Sequence, residues 1–173
     1  MTVRSERRYE TIGILTNVWI RHLGSEYLTL WDTEDWLKYK DYALCINPQK
    51  NSLLYVTVTI LGEQFRLHRL LIKCEPKDLV DHIDGDGLNN CKHNLRLATN
   101  AENMQNRTNN ANSNSTSGVR GVGFKSQTGT WTAQVKIDGK KKHLGTFKTV
   151  EEAEKIVIEY RSKHMLFSKE ARL

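Results

Sequence analysis

The chain has 173 residues, with 26 Lys/Arg against 20 Asp/Glu and a formal charge of +6; that length suits one domain or two small ones, neither with a large core. Its cysteines, Cys45, Cys74 and Cys91, are odd in number and form no Cys-x-x-Cys pair, which argues against a disulfide framework and a four-cysteine zinc cage. No apolar run reaches the roughly 18 residues of a membrane span, and the charged residues 2–10 lead into no signal-peptide-like segment, so a soluble intracellular protein is expected.

Residues 1–75 read as mostly β. Residues 27–31 (Tyr-Leu-Thr-Leu-Trp) form a plausible strand, and residues 55–60 are rich in β-branched side chains. Gly62-Glu63 offers a turn into residues 65–67, so a hairpin should lead to a short helix over residues 67–72. Trp19, Trp31 and Trp36 are read as packing aromatics.

Residues 78–108 read as strand, loop, strand, helix. Residues 79–83 can be a strand, Gly85 and Gly87 allow a tight loop, and residues 95–97 return. Thr99-Asn100-Ala101-Glu102 matches a capping box, Thr at the N-cap and Glu three positions on. A helix opening there puts Asn103 and Asn106 on one face. Asp81 offers a carboxylate and Asn103 an amide oxygen, enough for a hard divalent cation that keeps several waters. His82, with an unperturbed pKa near 6.5, suits a general base at neutral pH. Asn94 is the candidate to orient it, and Asn90 and Asn106 are secondary candidates. His68 and His93 lie outside this pattern and are read as structural. A zinc site drawn from Cys74, His82, Cys91 and His93 matches no finger spacing and is not favoured.

The order Asp81-His82, Asn94-Leu95-Arg96, Asn103 resembles the His-Asn-His (HNH) nuclease family, whose catalytic unit is two strands and a helix around one metal ion. The resemblance implies that His82 activates water, that Asp81 binds the metal and that Asn94 positions the histidine. Asn103 matches the closing ligand, a histidine in many members and an asparagine in phage and intron-encoded homing endonucleases. It favours Mg2+ or Mn2+ over zinc. The implied activity is metal-dependent hydrolysis of phosphodiester bonds in double-stranded DNA, in the cytoplasm of a bacterial host if phage-encoded. The alternative is a non-catalytic DNA-binding regulator on a decayed nuclease scaffold.

Residues 109–117 are polar, small and uncharged, and read as a linker. The expected domains are therefore residues 1–108 and 118–173. Beyond the linker, residues 119–125, 130–137 and 141–147 read as three strands, with turns at residues 127–129 and at Asp138-Gly139. Trp131, Ala133, Val135 and Ile137 alternate with Thr132, Gln134 and Lys136, giving one apolar and one polar face. A second capping box, Thr149 with Glu152, opens a helix that should cover the apolar side. Residues 118–148 hold seven basic side chains against Asp138 alone, while residues 1–111 balance at 14 and 14. A basic field so concentrated attracts phosphate backbones.

Residues 118–167 resemble the plant ethylene-response (APETALA-two) type of DNA-binding domain, on Val119-Arg120-Gly121-Val122, residues 131–135, Leu144-Gly145-Thr146-Phe147 and Glu151-Glu152-Ala153. The resemblance implies a three-stranded sheet in the major groove. Arg120 matches a base-contacting arginine, and Gln134, Lys136, Lys141 and His143 match other DNA-facing positions. Lys125, Lys136 and Lys141 are expected to act on phosphates, Arg120 and Gln134 on base edges. Gly123 stands where an arginine is usual, so the plant target sequence does not carry over. The expected fold class is α+β: a β-rich N-terminal region running into a ββα-metal core, then a three-stranded antiparallel sheet on one helix.

Overall fold

A computed structural model describes residues 7–49, 53–106, 115–137 and 139–172. The fold is mixed α+β and strand-rich. In chain order it runs β1 (Tyr9–Ile12), β2 (Leu15–His22), β3 (Ser25–Asp32), α1 (Thr33–Tyr39), β4 (Ala43–Pro48), β5 (Leu54–Ile60), β6 (Glu63–Arg66) and α2 (Leu67–Leu71). Then come β7 (Leu79–His82), a 3-10 turn (Lys92–Asn94), β8 (Leu95–Ala98) and α3 (Asn100–Gln105). The last part contains β9 (Val122–Lys125), β10 (Thr130–Ile137), β11 (Lys140–Phe147), α4 (Val150–His164) and a closing 3-10 turn (Lys169–Arg172).

Two compact units divide the chain, residues 1–98 and 99–173. The first holds two antiparallel sheets, β1-β2-β3 and β4-β5-β6, and the β7-β8 pair. Alternation in β2 buries Thr16, Val18 and Ile20, because successive strand residues face opposite sides. Val18 and Ile20 join Trp31, Trp36, Leu44, Ile46, Val56, Val58 and Leu67 in one core. Trp31 and Trp36 meet edge to face at 5.7 Å, a favoured aromatic geometry. Trp19 is only half-buried and lies under the Arg8 guanidinium, 4.0 Å from its ring centre. The reading of residues 65–67 as strand overshoots by one: β6 ends at Arg66, and fully buried Leu67 begins α2.

The second unit packs α4 on the sheet β11-β10-β9. Both capping boxes form: the Thr99 hydroxyl accepts the Glu102 N–H at the start of α3, and that of Thr149 accepts the Glu152 N–H at the start of α4. Ala153 and Val157 of α4 are fully buried against Val122, Ala133 and Val135, so the helix covers the apolar face. At the far end Arg161, also buried, pairs with Glu170 at 3.0 Å and donates to the Arg120 carbonyl at 2.8 Å. The strand read over residues 119–125 is shorter, since Gly118 and Gly121 take left-handed conformations (φ 67° and 93°) and β9 begins only at Val122.

The division of units falls at Ala98/Thr99 and not near residue 108, because α3 packs with the C-terminal elements: the Gln105 side chain accepts the Phe167 N–H at 3.4 Å. Of the expected linker, residues 109–114 lie outside the described residues, as does Asp138 of the expected β10–β11 turn.

Candidate active site and nucleic-acid interface

His82 closes β7 and is 4% exposed. β7 pairs antiparallel with β8 in the register Asp81↔Arg96 and His82↔Leu95. That register brings the Arg96 guanidinium onto Asp81, with Nε and Nη2 donating to Oδ2 at 3.0 and 2.8 Å. Both contacts fall on one carboxylate oxygen.

The loop from β7 to β8 is held by its own side chains. Asp84 Oδ1 accepts the Asp86 N–H at 2.9 Å, and Asp86 Oδ1 accepts the Leu88 N–H at 2.9 Å, two successive Asx turns. Asn89 Nδ2 donates to Asp84 Oδ2 at 2.7 Å. Asn94 is the hub: its Oδ1 accepts the Asp84 N–H at 3.0 Å, and its Nδ2 donates to Asp84 Oδ1 and the Asn89 carbonyl, both at 2.9 Å. Its own carbonyl accepts the Ile83 N–H at 2.7 Å. Where the sequence reading has Asn94 orienting the imidazole, its side chain instead ties the loop that follows His82. Asn90, a secondary candidate on sequence, is fully buried near His82, and its Nδ2 donates to the Leu88 carbonyl at 3.1 Å.

The surroundings of His82 were not visible in the sequence. His68, 3% exposed on α2, meets it edge to face with ring centres 4.9 Å apart, and Tyr55 lies 5.1 Å from His68 and 5.6 Å from His82. Burial lowers the His82 pKa below 6.5; Asp84, Asn90, Asp81 and Asp86 nearby oppose that without overcoming it. His68 is driven down to about 3 by burial, with His82, Arg66 and Arg69 adding to the effect. Both rings are therefore neutral at pH 7.

Asn103 is exposed on α3, in the second unit. Asn106, expected on the same helical face, is buried where Asn103 is exposed. α3 spans only six residues, and Asn106 is its C-cap, its N–H still donating to the Glu102 carbonyl at 3.2 Å.

On the other sheet, antiparallel pairing sets the DNA-facing candidates side by side. Gln134 pairs with His143, Lys136 with Lys141 and Thr130 with Lys125, all on the face opposite buried Ala133 and Val135. Lys125, Gln134, Lys136, Lys141 and His143 are exposed. A bulge between Ala133 and Gln134 keeps Leu144 out of the register and allows this alignment. Arg120 stands apart: it lies in the turn before β9, and its guanidinium reaches the Gln105 carbonyl at 3.4 Å. Trp131 and Phe147 pair across the apolar side and pack on the core.

Residues 73–105 match the family model of HNH endonucleases. The matched stretch holds Asp81, His82, Asn94 and Asn103, and the match supports a nuclease with DNA as its substrate and a divalent metal as its usual cofactor. No curated protein and no solved structure matches the chain. Among the described residues no helix is long and apolar enough to cross a membrane.

Proposed function

We propose that this protein is a divalent-metal-dependent endonuclease of the homing type that hydrolyses double-stranded DNA, with His82 as general base and the β9–β11 sheet as a separate DNA-holding surface. The observation that carries the reading is His82 itself, a neutral histidine at the end of β7, inside the stretch that matches HNH endonucleases. A neutral imidazole accepts a proton from water, the step that turns water into a nucleophile. As the water oxygen bonds to phosphorus and the bond to the leaving oxygen breaks, the proton passes to the His82 ring. The rings of His68 and Tyr55 packed against it, and the following loop tied by Asn94, would hold that ring in place.

The metal would be held by oxygen ligands. The proposed ligands are the Asp81 carboxylate, whose Oδ2 accepts from Arg96, and the Asn103 amide oxygen, as read from the sequence. An all-oxygen set suits Mg2+ or Mn2+, as the sequence leads one to expect. When bound, such an ion neutralises phosphate charge and stabilises the leaving oxygen. The exposed face of Lys125, Gln134, Lys136, Lys141 and His143, together with Arg120, would take the duplex, the lysines on phosphates and the others nearer the bases.

The ion pair of Asp81 with Arg96 favours a second reading, a DNA-binding protein without cleavage, because it engages the proposed metal ligand. Supercoiled plasmid with Mg2+, with and without EDTA, separates the two. The nuclease reading expects nicked or linear product that EDTA abolishes and that His82→Ala reduces at least about a hundredfold, with DNA affinity kept. Intact plasmid under all conditions, despite tight binding, would establish the second reading.

A further inference from the structure

Where β3 ends and the 3-10 turn before β8 begins, Asp32, Cys91 and His93 converge, each offering a ligand atom within 4.8 Å of the other two. None of these residues takes part in the proposed cleavage. We propose that they form a second metal site, for a borderline or soft transition ion such as Zn2+ or Co2+, that clamps the loop following His82 to β3.

Three features support it. The donor set is one sulfur, one imidazole nitrogen and one carboxylate oxygen, which suits Zn2+ or Co2+ and is unsuited to Mg2+. Three protein ligands and one water complete a tetrahedron, whose edges are about 3.5 Å at bond lengths of about 2.0–2.3 Å; small side-chain shifts would close the present spacing to that. The segments are also already in register. Leu30 donates its N–H to the Leu88 carbonyl at 3.0 Å and accepts the Asn90 N–H at 2.8 Å, so β3 and the loop run parallel there. Asp32 Oδ2 accepts the Lys92 N–H at 2.7 Å, fixing that carboxylate between Cys91 and His93 in sequence.

Electrostatics and access agree with this. The Lys92 ammonium is turned to Glu34 and Asp35, where it is paired, and Asp84 adds negative charge near the thiol. Cys91 is buried and His93 exposed, so an ion can enter past the imidazole. On binding, the Cys91 thiol releases its proton to solvent and the sulfur bonds to the ion, with no change of oxidation state. Sequence spacing does not reveal this site because its third ligand comes from residue 32, about 60 positions away, and neither Cys74 nor His82 belongs to the cluster.

The test uses the full chain with Cys45→Ser and Cys74→Ser, so that Cys91 is the one thiol, stripped of metal and titrated with Co2+ alone. The expected result is a sulfur-to-cobalt charge-transfer band that saturates at one equivalent and persists in excess Mg2+. His93→Ala, a change at an exposed position, and Asp32→Asn should each weaken cobalt binding at least about tenfold, since even outer-shell changes cost that much. His82→Ala should leave it unchanged. Absence of the band, or a band of undiminished affinity in His93→Ala and Asp32→Asn, would overturn the site, the latter marking adventitious binding by a lone thiol.

Discussion

At the scale of single residues, His82 and His68 share one buried pocket with Tyr55, and desolvation penalises charge on both rings. For catalysis this keeps His82 a base: its pKa lies below 6.5, so the cleavage rate should be flat at neutral pH and fall only as the medium acidifies past that point. A pH–rate profile of plasmid cleavage checks this, and an inflection above 6.5 would contradict it. For stability the sign is the same. The unfolded chain takes up a proton at His68 near 6.5 and the folded chain only near 3. Stability is thus fully present above about pH 6.5 and declines as pH falls toward 3, by about 1.4 kcal/mol per pH unit for that one proton. Urea unfolding between pH 7 and pH 4 should show a slope lower by about one proton in His68→Gln. An identical slope would mean that His68 is not held neutral by the fold.

At the scale of elements, the β7–β8 loop depends on close backbone approach as well as on Asn94. A Cβ placed on Gly87 would lie 2.2 Å from the Leu54 carbonyl oxygen and 2.6 Å from the Tyr55 ring, both belonging to β5. Gly87→Ala should therefore displace the loop or Tyr55, which is itself in contact with His82. The expected cost is about 1–3 kcal/mol of stability, in the range of overpacked sites, together with a loss of cleavage greater than the stability loss explains. Thermal melting and plasmid cleavage at a temperature well below melting measure the two effects separately. Wild-type values for both would show that the loop yields without consequence. Gly24 and Gly62, by contrast, have nothing within reach of an added Cβ, and their positive φ (82° and 86°) alone accounts for glycine there.

At the scale of the whole molecule, the excess positive charge is confined to residues 118–148, where Lys125, Lys136 and Lys141 share a solvent-facing side of the sheet with Gln134 and His143. Each phosphate contact made there should contribute about 0.9 to the slope of log affinity against log salt concentration. Lys136→Ala with Lys141→Ala should lower that slope by about 2 and weaken binding to all duplexes alike. Fluorescence anisotropy on two unrelated duplexes over a salt series measures both quantities. A slope unchanged in the double variant would remove this face from the interface.

The sequence by itself determined those features whose information is local. Both capping boxes, the alternation of β10, the α4 stripe of Val150, Ala153, Val157 and Tyr160 and the Asp81-His82 pair could be read because each depends on neighbours a few residues apart. The tertiary structure decided what depends on distant segments meeting. Burial of His68 beside His82, the ion pair of Arg96 with Asp81 across two strands, the hub of Asn94 bonds and the approach of Asp32 to Cys91 and His93 are set by strand register and loop closure. It also decided where the chain divides, because α3, continuous in sequence with β8, packs with the C-terminal elements through Gln105. Spacing along a chain records which side chains can share a face; it holds no record of which remote face will cover them.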